Sequence, residues 1–185
     1  TTWRKRSGRP VKDSDRYFTS PEILGLVLAQ FGEIDLDPCA DELAIVVAKQ
    51  GHNIRKGEDG LVLPWMGKVF CNPPYSAPTA WLARAAQHGA AGGEVLALVN
   101  AATSTRAWNS FVWPHASICF LEGRIKFRHL LADKWTPNPK DSVVLYYGPH
   151  RGAFRTVWAP RGEIVESPRL LSHRTCLKTP DAQVS

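Results

Sequence analysis

The sequence predicts an α/β fold in which a mostly parallel sheet lies between two layers of helices and carries an antiparallel hairpin at its edge. Three observations support this prediction. Short apolar runs typical of buried strands alternate with segments of helical periodicity along the earlier part of the 185-residue chain. Proline or glycine marks most of their boundaries. Strand-like segments then dominate the later part, which favours antiparallel pairing at one edge.

The first predicted helix, Pro21–Phe31, carries a signal at each end. Thr19 and Glu22 have the spacing of a capping box, and Gly32 follows the last apolar position of the helix. Apolar residues at helical spacing predict three further helices, at about 41–50, 78–91 and 105–113.

The predicted strands are short and strongly apolar. The run over 94–99 has no polar alternation after Glu94, as expected for a strand that a parallel sheet buries on both faces. The complete set is 34–37, 68–71, 94–99, 117–121, 142–147 and 154–158. The last two are close enough along the chain to form the edge hairpin.

Composition and charge divide the chain into three parts. Residues 1–14 form a basic arm without apolar periodicity, which includes Arg4, Lys5 and Arg6. Residues 15–159 hold the predicted helices and strands, and residues 160–185 are expected to be an irregular tail. The net charge of +6 favours contact with a polyanion. A second basic cluster contains Arg124, Lys126 and Arg128, and each cluster is either a solvated surface or a phosphate contact.

Several classes of protein are excluded or disfavoured. The longest apolar runs are far too short to cross a bilayer, so no membrane association is expected. The four cysteines lack disulfide or zinc spacing, and no leader pattern opens the sequence. We therefore expect a reducing cytoplasm, that of a bacterial host cell if the chain is phage-encoded. The six histidines show no metal-ligand spacing, so no metal is expected.

The most informative motif follows the strand over 68–71 and reads Asn72-Pro73-Pro74-Tyr75. Two successive prolines fix their φ angles, supply no N–H and hold the preceding residues extended. The Asn72 side-chain oxygen and the Pro73 carbonyl oxygen then offer two neutral acceptors for an NH₂ group, and Tyr75 offers a flat face for a ring. Such acceptors favour the pyramidal form of an aromatic amine, whose lone pair then points at an electrophile.

With this motif, the sequence resembles the amino-methyltransferases, and more narrowly the phage-type DNA N6-adenine methyltransferase family. The resemblance covers most of residues 15–148. It includes Asp15 to Ile23, Asp35 to Ala40, Glu58 to Leu61, the motif itself and the closing segments 122–127 and 141–145, in the family's order. It implies a Rossmann-like methyltransferase fold and transfer of a methyl group from S-adenosylmethionine to N6 of adenine in double-stranded DNA, after the adenine is flipped out of the helix.

The resemblance also assigns residues to roles. The catalytic residues would be Asn72, Pro73, Pro74 and Tyr75. The cofactor would contact Tyr17, Phe18, Thr19, Ser20, Pro21, Asp35, Asp37, Pro38, Cys39, Asp59 and Gly60, with Asp37 facing its ammonium group. DNA would contact Arg4, Lys5, Arg6, Arg106, Arg124, Lys126 and Arg128.

The sequence departs from the family's pattern in two places. Pro38-Cys39-Ala40 stands where methyltransferases commonly have a glycine-rich loop, and no acidic residue clearly ends the second strand. Asp41 or Glu42 could hold the cofactor's ribose, or both could be first-turn acids of a helix. Asn100 is either a pocket-lining residue or the start of a turn. The alternatives are a methyltransferase of RNA bases or protein glutamine, and an inactive nucleic-acid-binding domain.

Overall fold

The computed structural model describes residues 17–42, 45–75, 77–129, 134–167 and 169–170. Within them the helices are α1 (Pro21–Phe31), α2 (Pro78–Ala90), α3 (Arg106–Phe111) and α4 (Arg151–Trp158). The strands are β1 (Tyr17–Thr19), β2 (Ile34–Asp37), β3 (Ala48–Gly51), β4 (Lys68–Cys71), β5 (Glu94–Asn100), β6 (Ser117–Leu121), β7 (Lys126–His129), β8 (Trp135–Pro137), β9 (Ser142–Tyr147) and β10 (Gly162–Glu166). Each helix in these ranges lacks the length and apolar content needed to span a membrane.

Seven strands form one mixed sheet in the order β10-β6-β9-β5-β4-β2-β3. Strands β3, β2, β4 and β5 are parallel neighbours, whereas β9 runs antiparallel to both β5 and β6. The expected α/β class is confirmed. The antiparallel part is larger than the expected edge hairpin, because β9 lies inside the sheet and β10 forms the edge beside β6.

Helices cover both faces of this sheet. Side chains of β5 alternate between two buried clusters. Val95, Ala97 and Val99 pack with residues of α2 and α3, whereas Leu96 and Leu98 pack with residues of α1 and α4. All five side chains are at most 3% exposed, as the apolar run predicts for a strand buried on both faces.

A second sheet of three short strands has the order β1-β7-β8. Tyr17 lies opposite His129 and Thr19 opposite Phe127, so the segment before α1 is held by β7. The Arg128 guanidinium stacks over two rings, 5.4 Å from the centroid of Phe18 and 5.9 Å from that of Trp135.

The predicted helix Pro21–Phe31 is confirmed, but its cap differs from the expected one. Ser20 rather than Thr19 is the N-cap, and its hydroxyl accepts the Ile23 N–H at 3.5 Å. Gly32 ends the helix with a φ of 74°, a conformation that glycine adopts without strain. The Thr19 hydroxyl instead accepts a hydrogen bond from the Asn72 Nδ2 at 3.1 Å.

The helix expected over 41–50 is wrong. Residues 41–42 and 45–50, which the structure describes, contain no helix, and Ala48–Gly51 form β3 beside β2. Three β-branched residues directly precede β3, namely Ile45, Val46 and Val47, and their low helix propensity disfavours the expected helix. An apolar run of only four residues is too short to distinguish helical from strand periodicity.

The strand expected over 154–158 is also wrong, and with it the hairpin. This segment belongs to α4, in which Phe154 and Trp158 lie four residues apart on one buried face, with ring centroids 6.2 Å apart. The edge strand is instead β10, in which Ile164 lies opposite Cys119 of β6. Gly162–Glu166 thus extend the sheet, although the sequence analysis placed them in the tail.

Candidate active site

Two neighbouring strand ends form the centre of the site. Strands β2 and β4 are parallel, with Leu36 opposite Val69, so the residues after them emerge at the same edge of the sheet. The Sγ atoms of Cys39 and Cys71 lie 3.8 Å apart there. From β2 the chain continues to β3 on one side, and from β4 it continues to β5 on the other. This change of direction opens the crevice in which α/β sheets bind ligands.

The side chain of Asn72 has a defined orientation in this crevice. Its Nδ2 donates to the Tyr17 carbonyl oxygen and to the Thr19 hydroxyl, at 3.1 Å in each case. A carbonyl oxygen only accepts hydrogen bonds, so the group facing it must be the NH₂ end of the amide. The other end, Oδ1, is therefore left as an acceptor. Strand β1 thus orients the first residue of the motif.

The Tyr75 ring packs in a small aromatic group. Its centroid lies 6.1 Å from the centroids of both Tyr17 and Phe127. Burial, and to a smaller extent Tyr17, raises the pKa of the Tyr75 hydroxyl above its usual value, so the phenol stays neutral. The hydroxyl is buried and has no hydrogen-bond partner in the part of the chain that the structure describes. The ring is therefore fixed by packing.

A cavity of about 690 Å³ adjoins the motif. This volume falls within the range of roughly 300–1,000 Å³ that is typical of small-molecule sites. The wall is formed by the motif, the start of α2, the end of β5, α3 and the loop before β9, and it includes Pro73, Tyr75, Asn100, Arg106, Trp108, Arg124, Lys140 and Asp141. Pro73 and Tyr75 thus lie at the cavity, whereas the candidates at the end of β2 do not line it.

Asp37, the last residue of β2, has a buried carboxylate that is only 7% exposed. Burial raises the pKa of this carboxyl to about 7, although the Cys39 N–H, which donates to Oδ1 at 2.9 Å, opposes the shift. None of the ion pairs between described residues includes Asp37. A buried carboxylate of this kind is stabilised by a cationic ligand.

Asp35, two residues earlier, is occupied by contacts within the protein. Its carboxylate pairs with Lys49 of β3 at 2.8 Å and accepts the Lys68 N–H of β4 at 2.8 Å. The hydrogen bond from Lys49, followed by that from Lys68, lowers the pKa of Asp35 below its usual value. This side chain ties β2 to its neighbours on both sides.

Asp59 and Gly60 lie in a turn that packs on the loop after β2. The Asp59 Oδ1 accepts the Leu61 N–H at 3.0 Å, and the Trp65 indole donates to the Gly60 carbonyl at 2.7 Å. A Cβ atom on Gly60 would lie 1.9 Å from the Pro38 carbonyl oxygen. The turn and the loop can approach this closely only because residue 60 has no side chain.

We expect Gly60→Ala to lower the free energy of unfolding by about 2 kcal/mol, because the new methyl group would overlap the backbone of Pro38. Denaturant titration measures the change. Gly25→Ala in α1 is the matched control, since its Cβ would meet nothing within 4 Å. That substitution should raise stability by roughly 0.5–1 kcal/mol, through helix propensity. Equal effects of the two substitutions would contradict the packing described here.

The sequence analysis missed the polar residues at the end of β3. His52 and Asn53 are 3% and 6% exposed. The His52 N–H donates to the Asp37 carbonyl at 2.9 Å, and the Asn53 N–H donates to the Glu58 carboxylate at 2.9 Å. The helix expected over 41–50 concealed this strand end. Asp41 and Glu42 follow the end of β2 in an irregular segment, so they are not first-turn acids.

The basic residues that were predicted to contact DNA lie in different environments in the structure. Arg106 and Arg124 are exposed and line the cavity, and Arg124 pairs with Asp141 at 3.0 Å. Lys126 is exposed on β7, whereas Arg128 is half-buried between Phe18 and Trp135. Lys140, which the sequence analysis did not assign, joins the two arginines at the cavity. Arg4, Lys5 and Arg6 lie outside the described residues.

The other predicted cofactor residues lie close to the motif. Phe18 and Thr19 are buried in β1, Ser20 caps α1 and Pro21 begins it. Pro38 is buried and Cys39 half-buried after β2. Among the described residues, no group of three or more His, Cys, Asp or Glu side chains could hold a metal ion.

Comparison with known proteins adds one match. A family model described as DNA N-6-adenine-methyltransferase (Dam) matches residues 6–170, which include every element of the seven-stranded sheet. A comparison with curated proteins finds no significant match.

Proposed function

Because the chain belongs to the DNA N-6-adenine-methyltransferase family, we propose that it transfers a methyl group from S-adenosylmethionine to N6 of adenine in DNA, with Asn72 to Tyr75 as its reaction centre. The observation that carries this proposal is the orientation of Asn72. Its NH₂ group is held by Tyr17 and Thr19, so Oδ1 is left to accept a hydrogen bond next to Pro73, which lines the cavity.

The residues around the ends of β2 and β4 fit S-adenosylmethionine. The buried Asp37 carboxylate suits the cofactor's ammonium group, and the turn at Gly60 packs closely on the loop at Pro38, which follows Asp37. The residues that would hold the cofactor are Tyr17, Phe18, Thr19, Ser20, Pro21, Asp37, Pro38, Cys39, Asp59 and Gly60, while Asp35 supports them by fixing β2. When bound, S-adenosylmethionine supplies an electrophilic methyl group on a positively charged sulfur.

Asn72 and Pro73 prepare the acceptor amine. The lone pair of an aryl amine is delocalised into the ring, which makes the amine a weak nucleophile. Hydrogen bonds from its two hydrogens to the Asn72 Oδ1 and the Pro73 carbonyl favour the pyramidal form. The nitrogen becomes acidic only as its new bond forms, so these neutral acceptors suffice and no strong base is required beforehand. The protein thus contributes mainly orientation.

The target adenine is stacked and paired within duplex DNA, so it must be flipped into the cavity before it can react. The volume of about 690 Å³ and the position of Tyr75 in its wall support this step. The Tyr75 ring is already supported by Tyr17 and Phe127, so it can stack on a base without first losing conformational freedom.

DNA binding is proposed to involve cations around the cavity and on the amino-terminal arm. Arg106, Arg124 and Lys140 line the opening, and only Asp141 adds a negative charge among the lining residues. These side chains, together with Lys126 and the arm containing Arg4, Lys5 and Arg6, can neutralise phosphates. Arg128 packs between two rings, and any contact that it makes with DNA would use the guanidinium donors that this packing leaves.

Methyl-labelled S-adenosylmethionine tests this proposal directly. The protein is incubated with the labelled cofactor and, separately, with unmethylated duplex DNA, RNA and a protein extract. Label should enter DNA and be recovered as N6-methyldeoxyadenosine. DNA whose adenines are already methylated is the matched control and should remain unlabelled. Label in RNA or protein alone would assign the other acceptors, and absence of cofactor binding would indicate an inactive domain.

A further inference from the structure

A buried asparagine, Asn138, directly precedes Pro139 and Lys140 of the cavity wall and has a fixed orientation. The Asn138 Oδ1 accepts the backbone N–H of Lys140 at 3.2 Å, and an N–H group can only donate. The Asn138 Nδ2 is thereby directed to two acceptors, the Ser142 hydroxyl at 2.8 Å and the Asn100 side chain at 3.0 Å. Asn138 is 7% exposed, and its own N–H donates to the Ile125 carbonyl at 2.8 Å.

This arrangement fixes the orientation of Asn100. The atom that faces the Asn138 Nδ2 must be an acceptor, so it is Oδ1, at 3.0 Å. The NH₂ group of Asn100 is then the end left for another contact. Asn100 is half-buried and lines the same cavity as Pro73 and Tyr75. The cavity therefore has a side-chain donor from the end of β5, next to the strand that leads to Asn72.

We propose that the Asn100 NH₂ group donates a hydrogen bond to N1 of the flipped adenine while the Asn72 Oδ1 accepts from N6. This inference rests on the proposed function and adds a specificity-determining residue to it. The two asparagines present one acceptor and one donor, which match the amine and the adjacent ring nitrogen on the Watson–Crick edge of adenine.

The N1 contact has a distinct physical role. Contacts to N6 alone leave the base able to swing in its plane about the amine. A second contact on the same edge stops this rotation, and the lone pair of N6 then keeps its direction. Asn138 acts as a positioning residue, because its side chain holds Asn100 with the donor toward the cavity. A purely structural link between Asn100 and Asn138 would not depend on any atom of the base.

The experiment compares kcat/KM for duplexes that carry adenine, 1-deazaadenine or 7-deazaadenine at one mapped target position. For the wild-type protein, kcat/KM should be about tenfold to a hundredfold lower on 1-deazaadenine than on adenine, the range expected when one partner of a buried hydrogen bond is removed. The decrease in kcat/KM on 7-deazaadenine should be much smaller. Asn100→Ala should show a similar loss of kcat/KM on adenine and a much smaller further loss on 1-deazaadenine than wild type, because the contact to N1 is already absent.

Comparison of the two proteins separates the contact from intrinsic effects of the analogue, since both proteins meet the same altered amine and the same weakened base pair. Asn100→Asp, which keeps the shape and replaces the donor by an acceptor, should be impaired at least as much as Asn100→Ala. Thermal unfolding confirms that each variant folds. Equal sensitivity of wild type and Asn100→Ala to 1-deazaadenine would overturn the inference, as would a loss on 7-deazaadenine that depends on Asn100. Absence of methylation on adenine itself in the wild type would reject the proposed function, and this contact with it.

Discussion

Replacing Asn72 by alanine should lower the single-turnover rate of methyl transfer by about a hundredfold to a thousandfold, while the affinity for S-adenosylmethionine changes by no more than about twofold. In the proposed site, the lost Oδ1 acceptor would face the amine and act on its reactivity. The lost Nδ2 contacts, to Tyr17 and Thr19, hold the motif against β1, so part of the effect will be a looser orientation of the base. Rapid-quench kinetics and calorimetry measure the two quantities separately.

Asn109→Ala is the matched control for this substitution. Asn109 is an exposed asparagine of α3 whose side chain donates to the Thr105 carbonyl at 3.1 Å, and it does not line the cavity. Its replacement should leave the single-turnover rate within about twofold of the wild-type rate, since substitutions at such surface sites have small effects. Loss of cofactor binding in a folded Asn72→Ala protein would contradict the assignment of Asn72 to the acceptor amine.

Replacing Asp37 by asparagine should weaken cofactor binding by about a hundredfold and yet stabilise the protein without cofactor above neutral pH. Burial raises the pKa of Asp37 in the folded protein to about 7, from 3.8 for an unperturbed carboxyl. Between these values the unfolded chain is ionised while the folded chain holds the proton. The contribution of Asp37 to stability is therefore greatest below about pH 4, falls as the pH rises to about 7 and is then constant.

The difference in unfolding free energy between wild type and Asp37→Asn isolates this one group. By linkage, the unfolding free energy of the wild type should fall by roughly 4 kcal/mol relative to that of the variant between pH 4 and pH 8. Cofactor affinity of the wild type should rise with pH up to about 7, because in the proposed site the ammonium group binds the ionised carboxylate of Asp37. Unchanged cofactor affinity in Asp37→Asn would show that the ammonium group binds elsewhere.

The elements that could be predicted from the sequence are those with strong local signals. Pro21 and Gly32 delimit α1, and Pro73 and Pro74 prevent β4 from extending further along the chain. The missed elements depend on tertiary packing. Ala48–Gly51, which directly follow the β-branched run, form a strand because β2 offers a partner, and Phe154 and Trp158 form a helical face because α1 packs on it. The three-residue strands β1 and β8 are stable only through their pairing with β7.

The candidate site could be predicted only in its residue types. The motif Asn72 to Tyr75 and the strand end at Asp37 are visible in the sequence, because parallel strands bring their carboxyl ends together. The orientation of each amide depends on contacts that no local pattern reports. Asn72 is held by residues 55 and 53 positions earlier, and Asn100 by a residue 38 positions later. The fold thus determines which end of each amide, the donor or the acceptor, is left for a ligand.

The most direct test of the site is a structure of the protein bound to a non-reactive analogue of S-adenosylmethionine and to duplex DNA that contains its target adenine. We expect the adenine outside the helix, with N6 within hydrogen-bond distance of the Asn72 Oδ1 and the Pro73 carbonyl and its ring against Tyr75. An adenine that remains stacked in the duplex, or one whose N6 faces a different part of the cavity, would contradict the central claim that Asn72 grips the reacting amine.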